Sequence, residues 1–204
     1  MRALDVMSSP VVTVRPDQPV KEVAALLAEH GFTSAPVVDD NGHLAGLVTE
    51  ADVLRDRIPV DARTRIWRDE DVDAHPAQTI AELMSTPAVA VAPGTDASAI
   101  ARIMLDDHVR AVPVVDSGRG VVGIVTRRDL LRAIATDDGT VLIAVKSRLA
   151  GYGGTNRWAV TVHDGVVEIV DDFDDATDRH VAQVIAESVP GVAEARVRSR
   201  ESVR

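Results

Sequence analysis

Two Thr-x-x-Asp pairs, Thr49 with Asp52 and Thr126 with Asp129, are the residues of this chain best suited to hold a small polar ligand. Each follows a Gly-x-Val stretch, so each threonine stands where an apolar strand runs into a helix. The first turn of a helix leaves backbone N–H groups without intrahelical partners. A hydroxyl and a carboxylate beside those donors make a set that can hydrogen-bond a vicinal diol or an anion. The same spacing is also a capping box, in which Thr caps the helix and the acid three residues on closes the reciprocal bond. A capping box needs no ligand. Both readings are open at this level, because a cap residue stands at the rim from which a ligand would be reached.

The two pairs differ in their cationic neighbours. Arg110 stands three residues before Pro113, where Thr33 stands three before Pro36. Arg127-Arg128 follow Thr126, where Glu50-Ala51 follow Thr49, and His108 is close by. An anionic ligand therefore suits the second pair, through Arg110 and Arg128. The Glu50 side suits an uncharged ligand or none. The competing reading pairs these arginines with Asp106, Asp107 or Asp129 on the surface.

Other chemistry is sparse. The absence of cysteine excludes disulfides and thiolate chemistry. Gly151-Tyr152-Gly153-Gly154 lacks the lysine and the preceding strand of a phosphate loop, and no Gly-x-Ser-x-Gly elbow occurs. The histidines at 30, 43, 75, 108, 163 and 180 form no helical pair at ligand spacing. No catalytic residue, metal site or required cofactor is expected, and the chain reads as a non-enzyme. Asp171, Asp172, Asp174, Asp175 and Asp178 cluster at a helix start, where solvated acids complement the dipole. Arg196, Arg198 and Arg200 alternate on one strand face, which could meet acidic lipid or a partner, or simply water.

The elements that position the Thr-Asp pairs are duplicated. Met7-Ser8, Pro10, Val14 and Pro16 recur as Met84-Ser85, Pro87, Val91 and Pro93. Pro36-Val37-Val38-Asp39 recurs as Pro113-Val114-Val115-Asp116, and Gly46 to Asp52 as Gly123 to Asp129, all at one constant offset. Each copy is predicted to be β-α-β-β-α. In the first these are a strand at Val11–Val14, a helix from Asp17 as N-cap to His30, a hairpin of Ala35–Val38 and Leu44–Val48 about Asp39-Asp40-Asn41-Gly42, and a helix opening at Thr49. The predicted boundaries are 1–58 for the first repeat, 59–81 for a polar linker, 82–136 for the second repeat and 137–204 for a separate small domain. Ile66 and Trp67 are expected to pack the linker down. The last domain reads α-β-β-α-β: a short helix ended by Gly151 to Gly154, strands at Trp158–Val162 and Val166–Val170, a helix over 174–189, and a strand at Val192–Arg198. The fold class is α/β (α+β), with the repeats forming a pseudo-symmetric module.

The repeats resemble the cystathionine-β-synthase (CBS) domain, through the Pro-Val-Val-Asp strand ends and the Gly-h-h-Thr-x-x-Asp helix entries, h being apolar. That resemblance implies an intramolecular pair that often dimerises and commonly binds adenine nucleotides or related ligands between repeats. By it, Asp52 and Asp129 take the ribose hydroxyls, Thr49 and Thr126 contact ribose or phosphate, and Arg110 and Arg128 read any phosphate. The ligand it implies is AMP, ADP, ATP or another adenosyl compound. The C-terminal region resembles a BON domain through Trp158-x-Val160-x-Val162-x-Asp164-Gly165-Val166-Val167 and Pro190-Gly191-Val192. It departs from that family at Asp171-Asp172, where a glycine is usual. Together these imply a ligand-sensing regulatory protein that relays occupancy to the BON-like domain or a protein partner, and a homodimer formed through the repeats. The alternative is a ligand-independent scaffold whose BON-like domain contacts a membrane surface or another protein. A net charge of −10 disfavours nucleic acid and simple adsorption to anionic membranes. The absence of a secretion signal and of any long apolar run leads to the expectation of a cytoplasmic protein.

Overall fold

The computed structural model describes residues 1–55, 76–173 and 175–200. Ile66, Trp67 and most of the expected linker lie outside the described residues. The fold is α+β, and its contacts gather into two compact units. One comprises Met1–Ser8, Pro93–Val112 and Val125–Arg204, and the other Ser9–Ala92 and Pro113–Ile124. This grouping follows packing and cuts across the sequence repeats.

After a short helix α1 (Ala3–Val6), the predicted strand at Val11–Val14 is reduced to one parallel bridge, Val14 to Val37. Val14 donates to the Pro36 carbonyl at 3.0 Å and accepts from Val38 at 2.9 Å. Pro10 and Pro16 bracket it and bring no N–H to lengthen the ladder. Val91 makes the same single bridge to Val114. Helix α2 (Val20–His30) buries Val20, Val23 and Leu27 on one face and ends at Gly31, whose φ of 63° suits glycine. Its N-cap is Pro19 and not Asp17. Asp17 lies in the turn before the helix, its carboxylate paired with Arg15 Nε at 3.2 Å. Strands β1 (Ser34–Val38) and β2 (Leu44–Thr49) pair antiparallel, and helix α3 (Glu50–Leu54) follows at once. The hairpin turn is closed by Asp39, whose Oδ1 accepts from the backbone N–H of Asn41 and His43. Val14, Val23, Val37, Val48 and Ile80 form the core beneath it.

The second copy contributes α4 (Ala97–Asp106), capped by Asp96, then β3 (Ala111–Val115), β4 (Val121–Thr126) and α5 (Arg127–Ile134). Strands β3 and β4 form their own two-stranded sheet. After Ala135–Asp137 comes α6 (Asp138–Gly153). This helix ends within the glycine run expected to stop it, at Gly153 with Gly154 as C-cap, and at 16 residues it is longer than the short helix expected. Its last glycine has a packing reason: a Cβ on Gly153 would stand 2.5 Å from the Trp158 indole nitrogen. Strands β5 (Trp158–His163), β6 (Val166–Asp171) and β7 (Glu194–Ser199) form a sheet in that order, β5/β6 antiparallel and β6/β7 parallel, with α7 (Ala176–Glu187) between the last two in sequence. Alternation along these strands puts Val160, Ile169 and Ala195 under the helices, against Val145, Leu149 and Ala182. No helix among the described residues is long and apolar enough to cross a membrane.

Candidate ligand-binding site

Thr126 has extended φ and ψ and caps α5. Its hydroxyl accepts from the Asp129 N–H at 3.3 Å and donates to Asp129 Oδ2 at 2.6 Å, while its own N–H donates to Oδ2 at 2.8 Å. The capping box is therefore complete. The other carboxylate oxygen, Oδ1, accepts from the Ser8 hydroxyl at 3.2 Å and from Arg132 Nη1 at 3.3 Å. Asp129 is only 6 % exposed, and these four hydrogen bonds account for a carboxylate's acceptor capacity. The Arg127 N–H donates to the Arg110 carbonyl, which sets Arg110 beside this helix entry, and the Arg127 side chain is held by the Met104 carbonyl at 2.7 Å. Arg110 and Arg128 are exposed. Sequence reasoning placed the anion contacts at Arg110 and Arg128 and missed Ser8 and Arg132. Ser8 belongs to the duplicated Met-Ser-x-Pro motif, which was a usable signal. Arg132 stands one helical step from Asp129.

The first copy repeats the box. Asp52 Oδ2 accepts from Thr49 N at 2.9 Å and Thr49 Oγ1 at 2.7 Å, and the Asp52 N–H donates back at 3.3 Å. Its Oδ1 differs: Arg55 stays 3.7 Å away, beyond hydrogen-bond reach. Thr49 pairs across the hairpin with Ser34, whose hydroxyl is buried without a hydrogen-bond partner. Residue 34 corresponds to Ala111 of the second copy, so nothing in the repeat pattern marked it. A groove of about 480 Å³ opens near the far end of α5, between 133–138 and the loops at Gly165 and Gly191; neither Thr-Asp pair lines it.

The charged clusters around the β5-β6-β7 sheet are structural. Asp171 is fully buried and receives two hydrogen bonds from Arg157, at 2.8 and 3.0 Å; Arg157 also reaches Asp178 at 2.6 Å. Asp175 caps α7, and Asp172 pairs with Arg200 at 3.1 Å. The expectation of a solvated, dipole-complementing cluster is corrected for buried Asp171 and half-buried Asp178, whereas Asp172 and Asp175 are exposed and Asp175 caps the helix start; Asp174 lies outside the described residues. The organising cation, Arg157, had no local signal. Arg196 pairs with Glu194 at 2.8 Å and Arg198 with Glu168 at 2.9 Å, so each arginine on β7's outer face has an acid beside it, as Arg200 does. Among the described residues one trio, Asp138, His163 and Asp164, brings possible metal-ligating atoms within 4.8 Å of one another. Asp138 already clamps the turn, accepting from the N–H groups of Asp164 and Gly165, and the other two side chains stand in solvent.

The CBS domain profile matches residues 3–58 and 80–136. The chain belongs to the CBS domain family. Inosine-5′-monophosphate dehydrogenase of Mycobacterium leprae is 29% identical over 184 residues, covering 85% of this chain and 31% of the enzyme. The chloroplastic CBS domain-containing protein CBSX1 of Arabidopsis thaliana is 32% identical over 135 residues, 59% of this chain and 57% of that protein. The chain thus spans less than two thirds of both relatives. Among solved structures, the CBS domain pair of protein MJ0100, in complex with 5′-methylthioadenosine and S-adenosyl-L-methionine, superimposes with a TM-score of 0.53 at 28% identity, over 65% of this chain and 94% of that one. CBSX2 of Arabidopsis thaliana in complex with AMP gives 0.52 at 28% identity, again over 65% and 94%. Both CBS pairs hold adenosine compounds.

Proposed function

We propose that this chain is a non-enzymatic regulatory protein that senses an adenosine-containing metabolite at its Thr-Asp helix entries. The observation that carries the reading is the doubled corner itself. Thr49-Asp52 and Thr126-Asp129 each present a fixed carboxylate at a helix start, in a family whose 28%-identical pairs hold 5′-methylthioadenosine, S-adenosylmethionine and AMP. Asp52 and Asp129 take ribose hydroxyls, Thr49 and Thr126 back them, and Arg110 and Arg128 meet phosphate. Residues 137–204 serve as the output module, BON-like in their α-β-β-α-β order. Supporting a relay, α5 bears Asp129 and leads after three residues into α6, within one compact unit. A ligand shifts that output only through different affinities for two arrangements. Exposed Leu105 on α4 with Leu131 and Ile134 on α5 supports a homodimer through the CBS helices.

A thermal-shift panel of AMP, ADP, ATP, S-adenosylmethionine and 5′-methylthioadenosine tests this directly. A ligand at a hundred times its Kd adds about 2.7 kcal/mol of stability, enough to raise Tm by several degrees. Asp129→Ala is expected to abolish the nucleotide shift and to lower the unliganded stability by about 1 kcal/mol, the size of a lost cap. A flat panel overturns the sensor reading.

A further inference from the structure

We infer that β5 is a self-association edge: it pairs antiparallel with β5 of a second copy of this chain, joining two three-stranded sheets into one continuous sheet. This stands on the β5-β6-β7 sheet alone and is independent of the adenosine-sensing reading.

The ladder shows which backbone groups β5 leaves over. Arg157 stands opposite Asp172, one step beyond the Trp158–Asp171 pair, and the Asp172 N–H donates to the Arg157 carbonyl at 3.2 Å. Hydrogen-bonded pairs alternate along an antiparallel ladder, so Ala159, Thr161 and His163 are the residues that bond to β6. The turn agrees. Asp164 and Gly165, at φ of 48° and 74°, form a two-residue hairpin loop that closes on the His163–Val166 pair. Trp158, Val160 and Val162 therefore turn their N–H and C=O groups outward, and no backbone hydrogen bond reaches those groups among the described residues.

An open edge is a template for another strand, and proteins guard such edges with charge, proline or bulges. The other edge of this sheet is guarded, since β7 carries Glu194, Arg196 and Arg198. β5 carries no Asp, Glu, Lys, Arg or Pro, and its six residues run without a bulge. Its Trp, Val, Thr and Val residues favour an extended strand. The occupant that fits this edge is the same strand, turned about a two-fold axis at Val160. Trp158 then stands opposite Val162 of the second copy, and Val160 opposite Val160 of the second copy. All the outward N–H and C=O groups of the three residues are bonded at once. Moving the axis to residue 159 or 161 leaves one of the three facing a residue outside β5. The same register matches aromatic Trp158 with β-branched Val162 on the helix-covered face, and uncharged Ala159 with uncharged Thr161 on the outer face.

The chain has no cysteine, so engineered thiols report the register without interference. Ala159 and Thr161 are both exposed, and each is replaced singly by cysteine in the full chain. In a mixture of Ala159→Cys and Thr161→Cys the two thiols face each other across the pair, with Cα atoms about 4.5 Å apart, a separation that a disulfide accepts. Between identical variants the thiols are diagonal, about 7–8 Å apart at Cα, and out of disulfide reach. Under mild oxidation the mixture is expected to form the disulfide dimer, read on a non-reducing gel, at least about tenfold faster than either variant alone. Ala159→Lys with Thr161→Lys sets lysines opposite each other and is expected to weaken self-association about five- to thirtyfold in sedimentation velocity. Mixing that variant with Ala159→Glu/Thr161→Glu is expected to restore association, which a misfolded strand would not allow. Equal crosslinking rates in all three samples overturn the pairing, as do lysine variants that associate like the wild type. Fastest crosslinking within one variant alone overturns the Val160 register.

Discussion

At the scale of single residues, the strongest electrostatic element is Arg157. Its guanidinium forks onto Asp171, reaches Asp178, and lies 4.4 Å from the Trp158 ring centroid and 5.3 Å from that of Phe173. Removing one partner of a buried pair leaves the other charge uncompensated. Arg157→Met is therefore expected to cost about 3–5 kcal/mol in urea denaturation, and Arg157→Lys to recover only part, having no planar fork. Burial alone would push the Asp171 carboxyl up, but the Arg157 hydrogen bonds, the Phe173 N–H and the Arg157 charge outweigh it and hold it below the usual range. The Tyr152 hydroxyl and Arg157 hold Asp178 low as well. A carboxylate whose folded value is depressed contributes stability above its ordinary value of about 3.9 and loses it as pH falls through the depressed value. The wild type should thus lose stability on acidification below about pH 4, and Arg157→Met should flatten that acid limb. Thr-x-x-Asp was legible in the sequence because its chemistry spans three residues. The Arg157 cluster was not, because its acids are distant in sequence and only the β5/β6 register, Trp158 opposite Asp171, brings them together.

At the scale of elements, glycines mark where backbones come close, one in a repeat motif and others outside the repeats. Gly46, the motif glycine of β2, lies where the Met84–Ser85 segment crosses; a Cβ there would stand 2.9 Å from the Ser85 carbonyl and 2.8 Å from Met84 Sδ. Met84 can move, but Ser85 cannot easily, since its carbonyl and N–H are both bonded to Leu47. Gly191 follows α7 at a φ of 93°, and a Cβ on it would meet Val141 Cγ2 at 2.7 Å and Thr136 Cβ at 2.9 Å. Gly46→Ala and Gly191→Ala are each expected to cost about 1–3 kcal/mol by overpacking, with backbone strain added at Gly191, measured as a fall in the denaturation midpoint. Gly165→Ala, beside the Gly191 carbonyl at 2.8 Å and at a φ of 74°, should behave alike. The order of helices and hairpins was readable from periodicity. The strand at Val11–Val14 was over-read, because β-rich composition does not count the missing proline donors on either side. The end of α6 was legible in the Gly151–Gly154 run, but the packing reason for Gly153 was not, because Trp158 comes to lie against it only in the fold.

At the scale of the whole molecule, charge decides whether the outer face of the β5-β6-β7 sheet seeks a membrane. Three arginines alternating on one strand would contribute about 1 kcal/mol each near an anionic surface. Here each is already matched: Arg196 by Glu194, Arg198 by Glu168 and Arg200 by Asp172. These pairs are exposed and individually weak, about 0–1 kcal/mol, so they add little stability. Their effect on the surface field is larger, because each acid cancels its arginine well within a screening length of about 8 Å at physiological salt. The net charge of −10 adds repulsion from an anionic bilayer. The full chain is therefore expected to stay in the supernatant when sedimented with phosphatidylserine-containing vesicles at physiological salt. Glu168→Gln with Glu194→Gln, which frees two arginines, should draw a fraction into the pellet in a salt-sensitive way. Wild-type pelleting that disappears when Arg196, Arg198 and Arg200 are all replaced by alanine would show that the acids do not neutralise this face, and would return the membrane-contact role to residues 137–204.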